Sequence, residues 1–272
     1  DTFKATTIIE TPPPGSEWFV LMKTDDGEVI NRSNSLTDMM SYIASYSFTA
    51  PLTLELNTSE VINLAVPLNL NFNTNNYRLT IENKDGKSPV LSGQGLLSSI
   101  INSSMSHLTV RGIKLYNIKV TDNTAAFIKQ TGGSSVVYED IIVTLGNKAV
   151  YVSGGADNIT FDNIKVEQVI NGSFKLGNGS AAQPYDVSNL TIKNITLKDD
   201  LLGGNISGTT SKYKPLIDLA KVNGAVLENV LYSDNFSGGA VVLNNNKNII
   251  LKKILARTFG SGAAAHGILS SN

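Results

Sequence analysis

The sequence predicts an all-β chain wound as a right-handed parallel β-helix with three strands per coil. Three observations carry this reading. An eight-residue pattern of apolar and polar positions recurs six times at uneven intervals, which suits a solenoid whose loops absorb insertions while its strands keep register. The residue at the centre of the pattern is mostly of a type that accepts a left-handed backbone at low cost. After residue 100, no segment has room for the amphipathic crossover helices that separate parallel strands in layered α/β folds.

The octets are Leu108–Leu115 (LTVRGIKL), Val136–Val143 (VVYEDIIV), Ile159–Val166 (ITFDNIKV), Leu190–Leu197 (LTIKNITL), Ala225–Tyr232 (AVLENVLY) and Ile249–Ala256 (IILKKILA). Their starting positions are separated by 28, 23, 31, 35 and 24 residues. Apolar residues alternate with polar ones on both sides of the middle position, the period-2 mark of strands with one buried face. The middle holds Gly112, Asp140, Asn163, Asn194, Asn229 and Lys253, so two short strands meet at a bend, where stacked asparagines can hydrogen-bond from coil to coil. A further short strand follows most octets, at Ala126–Lys129, Ala149–Val152, Ser173–Leu176, Leu216–Leu219 and Ala240–Leu243. Turn clusters such as Gly132-Gly133, Gly154-Gly155 and Gly177-Asn178-Gly179 separate the elements. A β-sandwich is the competing fold, but it does not predict one octet recurring with the same internal bend.

Upstream, Pro12-Pro13-Pro14 reads as a stiff extended linker and Trp18–Met22 as a strand. Ser35 is placed to N-cap a short helix with Asp38 three positions on, and Leu36, Met39, Met40 and Ile43 fall on one helical face. An open solenoid end exposes apolar cross-section and unpaired strand edges, so this helix is expected to cover the first coil. Leu52–Leu56, Leu64–Phe72 and Tyr77–Ile81 read as strands of less regular coils. The expected organisation is therefore an N-terminal strand and helix cap over residues 1–59 and a parallel β-helix over 60–272. Ala264–Leu269 reads as one more strand, and the solenoid is expected to continue beyond residue 272.

Composition bounds the function. Lys plus Arg number 22 against 23 acidic residues, so no net field draws the chain to a phosphate backbone or anionic membrane; nucleic acid is not an expected partner. There is no cysteine, which excludes disulfides, thiolate metal sites and a cysteine nucleophile. No apolar run approaches the ~20 residues that cross a bilayer, and residues 1–10 do not read as a signal peptide. No cofactor or metal is implied.

The octets, with Asn163, Asn194 and Asn229 at the bend, resemble the pectate-lyase-like superfamily of parallel β-helices over roughly residues 60–272. The resemblance implies the fold more than an activity, because the superfamily contains polysaccharide lyases, glycoside hydrolases, phage tailspikes and bacterial surface adhesins. The opening Ser35–Leu56 is most similar to adhesive modules of secreted bacterial surface proteins. A polygalacturonase-like enzyme would place an acid and a base carboxylate across the scissile bond within a fixed order of motifs. Here Asp199-Asp200, Ala265-His266-Gly267 and Arg111-Gly112-Ile113-Lys114 occur in the wrong order. A lyase-like enzyme would gather carboxylates round calcium beside a basic residue, and the acidic residues are dispersed. His107 and His266 lie far apart without metal or triad partners. No catalytic set is assigned.

If the apolar residues of the short strands point inward, the outward positions form a line of Lys129, Tyr151, Lys175, Asp218 and Val242. The resemblance implies that extended polysaccharides lie beside that sheet. Lys129 and Lys175 are expected to meet carboxylate or sulfate groups and Tyr151 a sugar face, with walls from Lys212-Tyr213-Lys214 and Gln183-Pro184-Tyr185-Asp186. The function expected from the sequence is an extracellular adhesin or binding domain, recognising a host or cell-surface glycan or protein along a solenoid face. The alternative is a lyase, hydrolase or phage tailspike acting on an acidic polysaccharide.

Overall fold

A computed structural model of the chain describes residues 18–122, 124–169, 173–178, 185–198, 217–233, 241–257 and 268–271. Over these residues the chain is a parallel β-solenoid built on two sheets. One stacks Leu52–Leu56, Leu79–Asn83, Leu108–Arg111, Ser134–Gly146, Ala156–Val169, Val187–Lys198, Val222–Ser233 and Lys247–Arg257 in sequence order, all parallel. The other stacks eight short parallel strands from Leu68–Leu70 to Ile268–Ser271.

The octets form where the alternation places them. In the first, Gly112 (φ 68°) separates strands Leu108–Arg111 and Lys114–Tyr116. In the later five, one residue with φ of 51–55° (Asp140, Asn163, Asn194, Asn229, Lys253) turns the chain inside a continuous strand. The two arms, read as separate strands in the sequence, thus join without a break, because a single left-handed residue redirects the chain while its neighbours stay paired. A second left-handed residue stands five positions upstream in each coil, at His107, Ser135, Asn158, Asn189, Gly224 and Asn248. His107 is therefore a corner residue.

Corner side chains bond between coils. Asn163 Nδ2 donates to Asp140 Oδ1 (2.6 Å) and Asn229 Nδ2 to Asn194 Oδ1 (2.8 Å). Asn194 departs from the expected stack and donates to Asp162 Oδ1 (2.7 Å), an ionised acceptor that makes a stronger bond than an amide carbonyl.

Inward residues fill a continuous core. Val150, Val152, Phe174, Leu176, Ile217, Leu219 and Val241 are buried, and Leu243 is partly buried. Tyr138 stacks on Phe161 at 5.3 Å between centroids, and Phe161 meets Phe174 edge-on. The one polar arm in this column is satisfied. The Tyr138 hydroxyl donates to Gln130 Oε1 (2.7 Å), and Gln130 Nε2 donates to the Gly132 carbonyl (2.6 Å).

At the N-terminal side, Val20–Thr24 and Val29–Ser33 form an antiparallel hairpin that pairs with Leu52–Leu56 and extends the larger sheet. The first strand starts at Val20, two residues later than the sequence implied; the Trp18 carbonyl instead accepts from Asn57 Nδ2. The helix spans Leu36–Ser45, with Ser35 Oγ accepting from the Asp38 N–H at 3.2 Å. Its buried Leu36, Met39 and Ile43 join the common core, and Met40 is half-buried. Pro12-Pro13-Pro14 and residues 264–267 lie outside the described residues, while Ile268–Ser271 pairs with Val241–Asn244.

Candidate functional site

Strand register fixes the outer face of the eight-stranded sheet. Lys129 lies beside Tyr151, Tyr151 beside Lys175, Lys175 beside Asp218 and Asp218 beside Val242. Neighbouring rungs are ~4.8 Å apart. In the other direction the line continues through Asn102 and Asn69, whose amides bond to each other at 3.1 Å. These two asparagines sit in the irregular coils before the first octet, in the triplets Leu68-Asn69-Leu70 and Ile101-Asn102-Ser103. Their apolar-Asn-apolar or apolar-Asn-small pattern was the available signal.

The two lysines of the line differ. Lys175 Nζ is 2.5 Å from Asp218 Oδ2, so its ammonium is paired within the chain. The other oxygen, Asp218 Oδ1, is buried with no hydrogen-bond partner among the described residues. Lys129 is half-buried and makes neither a hydrogen bond nor an ion pair with a described residue. Burial holds its pKa below the ordinary lysine value, opposed by the field of Asp122.

Tyr185 is half-buried and off the line, next to buried Asp186. The Asp186 carboxylate accepts the Gly154 N–H (3.0 Å) and the Asn178 N–H (2.6 Å), tying two coils together. Lys212, Tyr213 and Lys214 lie outside the described residues, as do Asp199, Asp200 and His266. Arg111 belongs to the other sheet. Among the described residues no group of three His, Cys, Asp or Glu side chains is placed to hold a metal ion.

The outer face of the larger sheet carries a second array that the sequence reading missed. The fourth position of each octet is charged: Arg111, Glu139, Asp162, Lys193, Glu228 and Lys252. These stack rung on rung, preceded by Glu55 and Glu82. Arg111 bridges Glu82 and Glu139, and Lys193 pairs with Asp162 at 2.9 Å. The Glu82 hydrogen bond raises the Arg111 pKa, and the Asp162 hydrogen bond raises that of Lys193. Two positions upstream, Thr53, Thr80 and Thr109 form a column that Val137 interrupts before Thr160 and Thr191. Between the hairpin turn and these columns lies an open groove of about 720 Å³. The signal is in the octets themselves, whose fourth, outward position is charged in all six.

No family model matches the sequence, and no curated protein does. Solved structures with a similar course include the pectin methylesterase from Aspergillus niger in deglycosylated form, 13% identical, with a TM-score of 0.46 over 94% of this chain and 92% of that one. A pectin methylesterase variant in complex with a hexasaccharide is 12% identical, with a TM-score of 0.44 over 88% of this chain and 92% of that one. The endo-xylogalacturonan hydrolase from Aspergillus tubingensis is 14% identical, with a TM-score of 0.31 over 80% of this chain and 63% of that one.

Proposed function

We propose that the outer face of the eight-stranded sheet binds an extended acidic polysaccharide. The observation that carries this reading is Lys129, a half-buried ammonium with no contacting counter-ion, one rung from Tyr151 and one from Asn102. A cation drawn out of water without a partner is costly, and a carboxylate or sulfate on the ligand would supply the missing partner. Tyr151 offers an apolar ring with a polar tip, and Asn102 and Asn69 offer amide groups at the same spacing. A linear polymer suits a surface whose groups repeat along one axis. Such a partner would place the protein outside the cell.

A second reading, polysaccharide cleavage, has one observation in its favour. Asp218 stands two rungs from Tyr151 with Oδ1 buried and unpartnered and Oδ2 held by Lys175. A carboxylate oriented by a cation beside a sugar-binding surface can serve as a base or a nucleophile. Attachment to a host protein or surface gains no support from the described residues.

The test is retention on immobilised polygalacturonate and alginate, run with reducing-sugar and unsaturated-product assays. Loss of one charge-assisted hydrogen bond costs about 1.5–3 kcal/mol, so Lys129→Ala should weaken retention by about 10- to 100-fold. Unchanged retention would remove this face. Turnover that disappears in Asp218→Asn would establish the second reading.

A further inference from the structure

The groove on the larger sheet is distinct from the proposed acidic-polysaccharide face and lies on another side of the coil. Its floor is polar. The hydroxyls of Thr53, Thr80 and Thr109 stand on three successive rungs, and none makes a hydrogen bond within the described residues. From Thr53 to Val137 the column spans about 14 Å at ~4.8 Å per rung. Arg78 leads into the strand that carries Thr80 and Glu82, and the alternation along that strand turns all three outward.

Charge decides what the groove can accept. Its charged lining is Lys23, Asp25, Arg78, Glu82, Arg111 and Glu139, three of each sign, so there is no net field to attract an anion. Two of the three cations are already engaged: Lys23 with Glu55 at 2.7 Å and Arg111 with both Glu82 and Glu139. Arg78 is exposed and forms no ion pair among the described residues. The Arg111 contacts use Glu82 Oε2 and Glu139 Oε1, which leaves Glu82 Oε1 and Glu139 Oε2 as spare acceptors on two residues that line the groove. Carboxylate oxygens accept readily from hydroxyl groups and repel another carboxylate.

We propose that this groove is a second carbohydrate site, built for a neutral, hydroxyl-rich oligosaccharide. Sugar hydroxyls, which both donate and accept, match an array of three threonine hydroxyls, one guanidinium fork and two spare carboxylate oxygens. A uronate oligomer does not match it, because its carboxylates would face Glu82 and Glu139 with Arg78 as the sole unengaged cation of the described lining. The chain would then hold an acidic polymer on one face and a neutral one on another, bringing two polymer classes together.

The experiment is calorimetric titration of the whole chain with cellohexaose, xylohexaose, mannohexaose and hexagalacturonate. At least one neutral oligomer should bind. Arg78→Ala, on an exposed residue just before the strand, should weaken that binding about tenfold, as should the isosteric pair Thr80→Val with Thr109→Val. Lys129→Ala should leave it unchanged, which separates this site from the acidic-polysaccharide face. Three outcomes would overturn the proposal: no binding of any neutral oligomer, binding that both groove variants leave intact, or displacement of the neutral oligomer by hexagalacturonate. The far-ultraviolet strand signal and melting temperature of each variant show whether a loss reflects the groove or the fold.

Discussion

Gly177→Ala offers a steric test of how tightly the coils are stacked. Gly177 follows the short strand Phe174–Leu176 with φ of 83°, and an added Cβ would lie 2.0 Å from the Ala220 carbonyl oxygen of the next coil. Real Cβ atoms essentially never approach another heavy atom closer than 3.0 Å, so the coils would have to part by about 1 Å. The natural control is Gly155→Ala, with φ of 78° but nothing within 4 Å of the added Cβ. Both substitutions meet the left-handed penalty of about 1–2 kcal/mol, and both gain about 0.4–1 kcal/mol from a stiffer unfolded chain. Only Gly177→Ala adds overpacking, about 1–3 kcal/mol, so that figure is the expected difference between the two variants. Denaturant melts read by circular dichroism give the totals. Because solenoids need not unfold in one step, amide exchange over 174–176 and 217–220 locates the weakening. Equal destabilisation by the two alanines would refute the stacking described for these coils.

Further tests address particular side chains. Tyr138→Phe strands Gln130 Oε1 in the core and should cost about 1–3 kcal/mol by urea melt. Burial raises the Tyr138 pKa far above the usual phenol range, so the folded chain keeps that proton while the unfolded chain releases it near pH 10. Stability contributed by Tyr138 is therefore complete below pH ~10 and falls as pH rises beyond it; Tyr138→Phe should flatten that part of an alkaline melt series. Asp186→Asn loses an ionised acceptor for two backbone N–H groups and should cost about 1.5–3 kcal/mol, read as a lowered melting temperature at pH 7. Lys129 has a depressed pKa that the field of Asp122 partly restores. Binding of an acidic polymer should fade as pH rises through that depressed value, and in Asp122→Asn the fading should begin at lower pH; an identical pH profile in both proteins would exclude Asp122 from the site.

The coil was legible in the sequence because burying one face of a strand imposes strict alternation, and six octets repeat it. The line through Lys129, Tyr151, Lys175 and Asp218 followed from the same rule, since inward Val150, Phe174 and Ile217 force their neighbours outward. Most limits of the short strands moved by one or two residues, while Leu64–Phe72 contracts to Leu68–Leu70. Ala126 and Phe127, expected in a strand, are buried at the approach to Ile128–Thr131, because a run apolar at every position carries no period to mark where pairing begins. The upstream corners were harder to see, since His107 and Ser135 lack the Asn signature that Asn158, Asn189 and Asn248 share. Pairing between distant charges was not legible. Lys175 and Asp218 are 43 residues apart, and the alternation that sets them side by side in the line carries no sign that they bond to each other. Arg111, to which the sequence assigned no role, holds Glu82 and Glu139 on the other sheet.

Lysine-modification footprinting with hexagalacturonate tests the central claim most directly. Reductive methylation of the chain, with and without the oligomer, is followed by mass spectrometry of each lysine. Protection of Lys129, with Lys114 and Lys165 on the other sheet reacting equally in both samples, is the predicted result. Equal modification of Lys129 with and without saturating oligomer would contradict the assignment of this face.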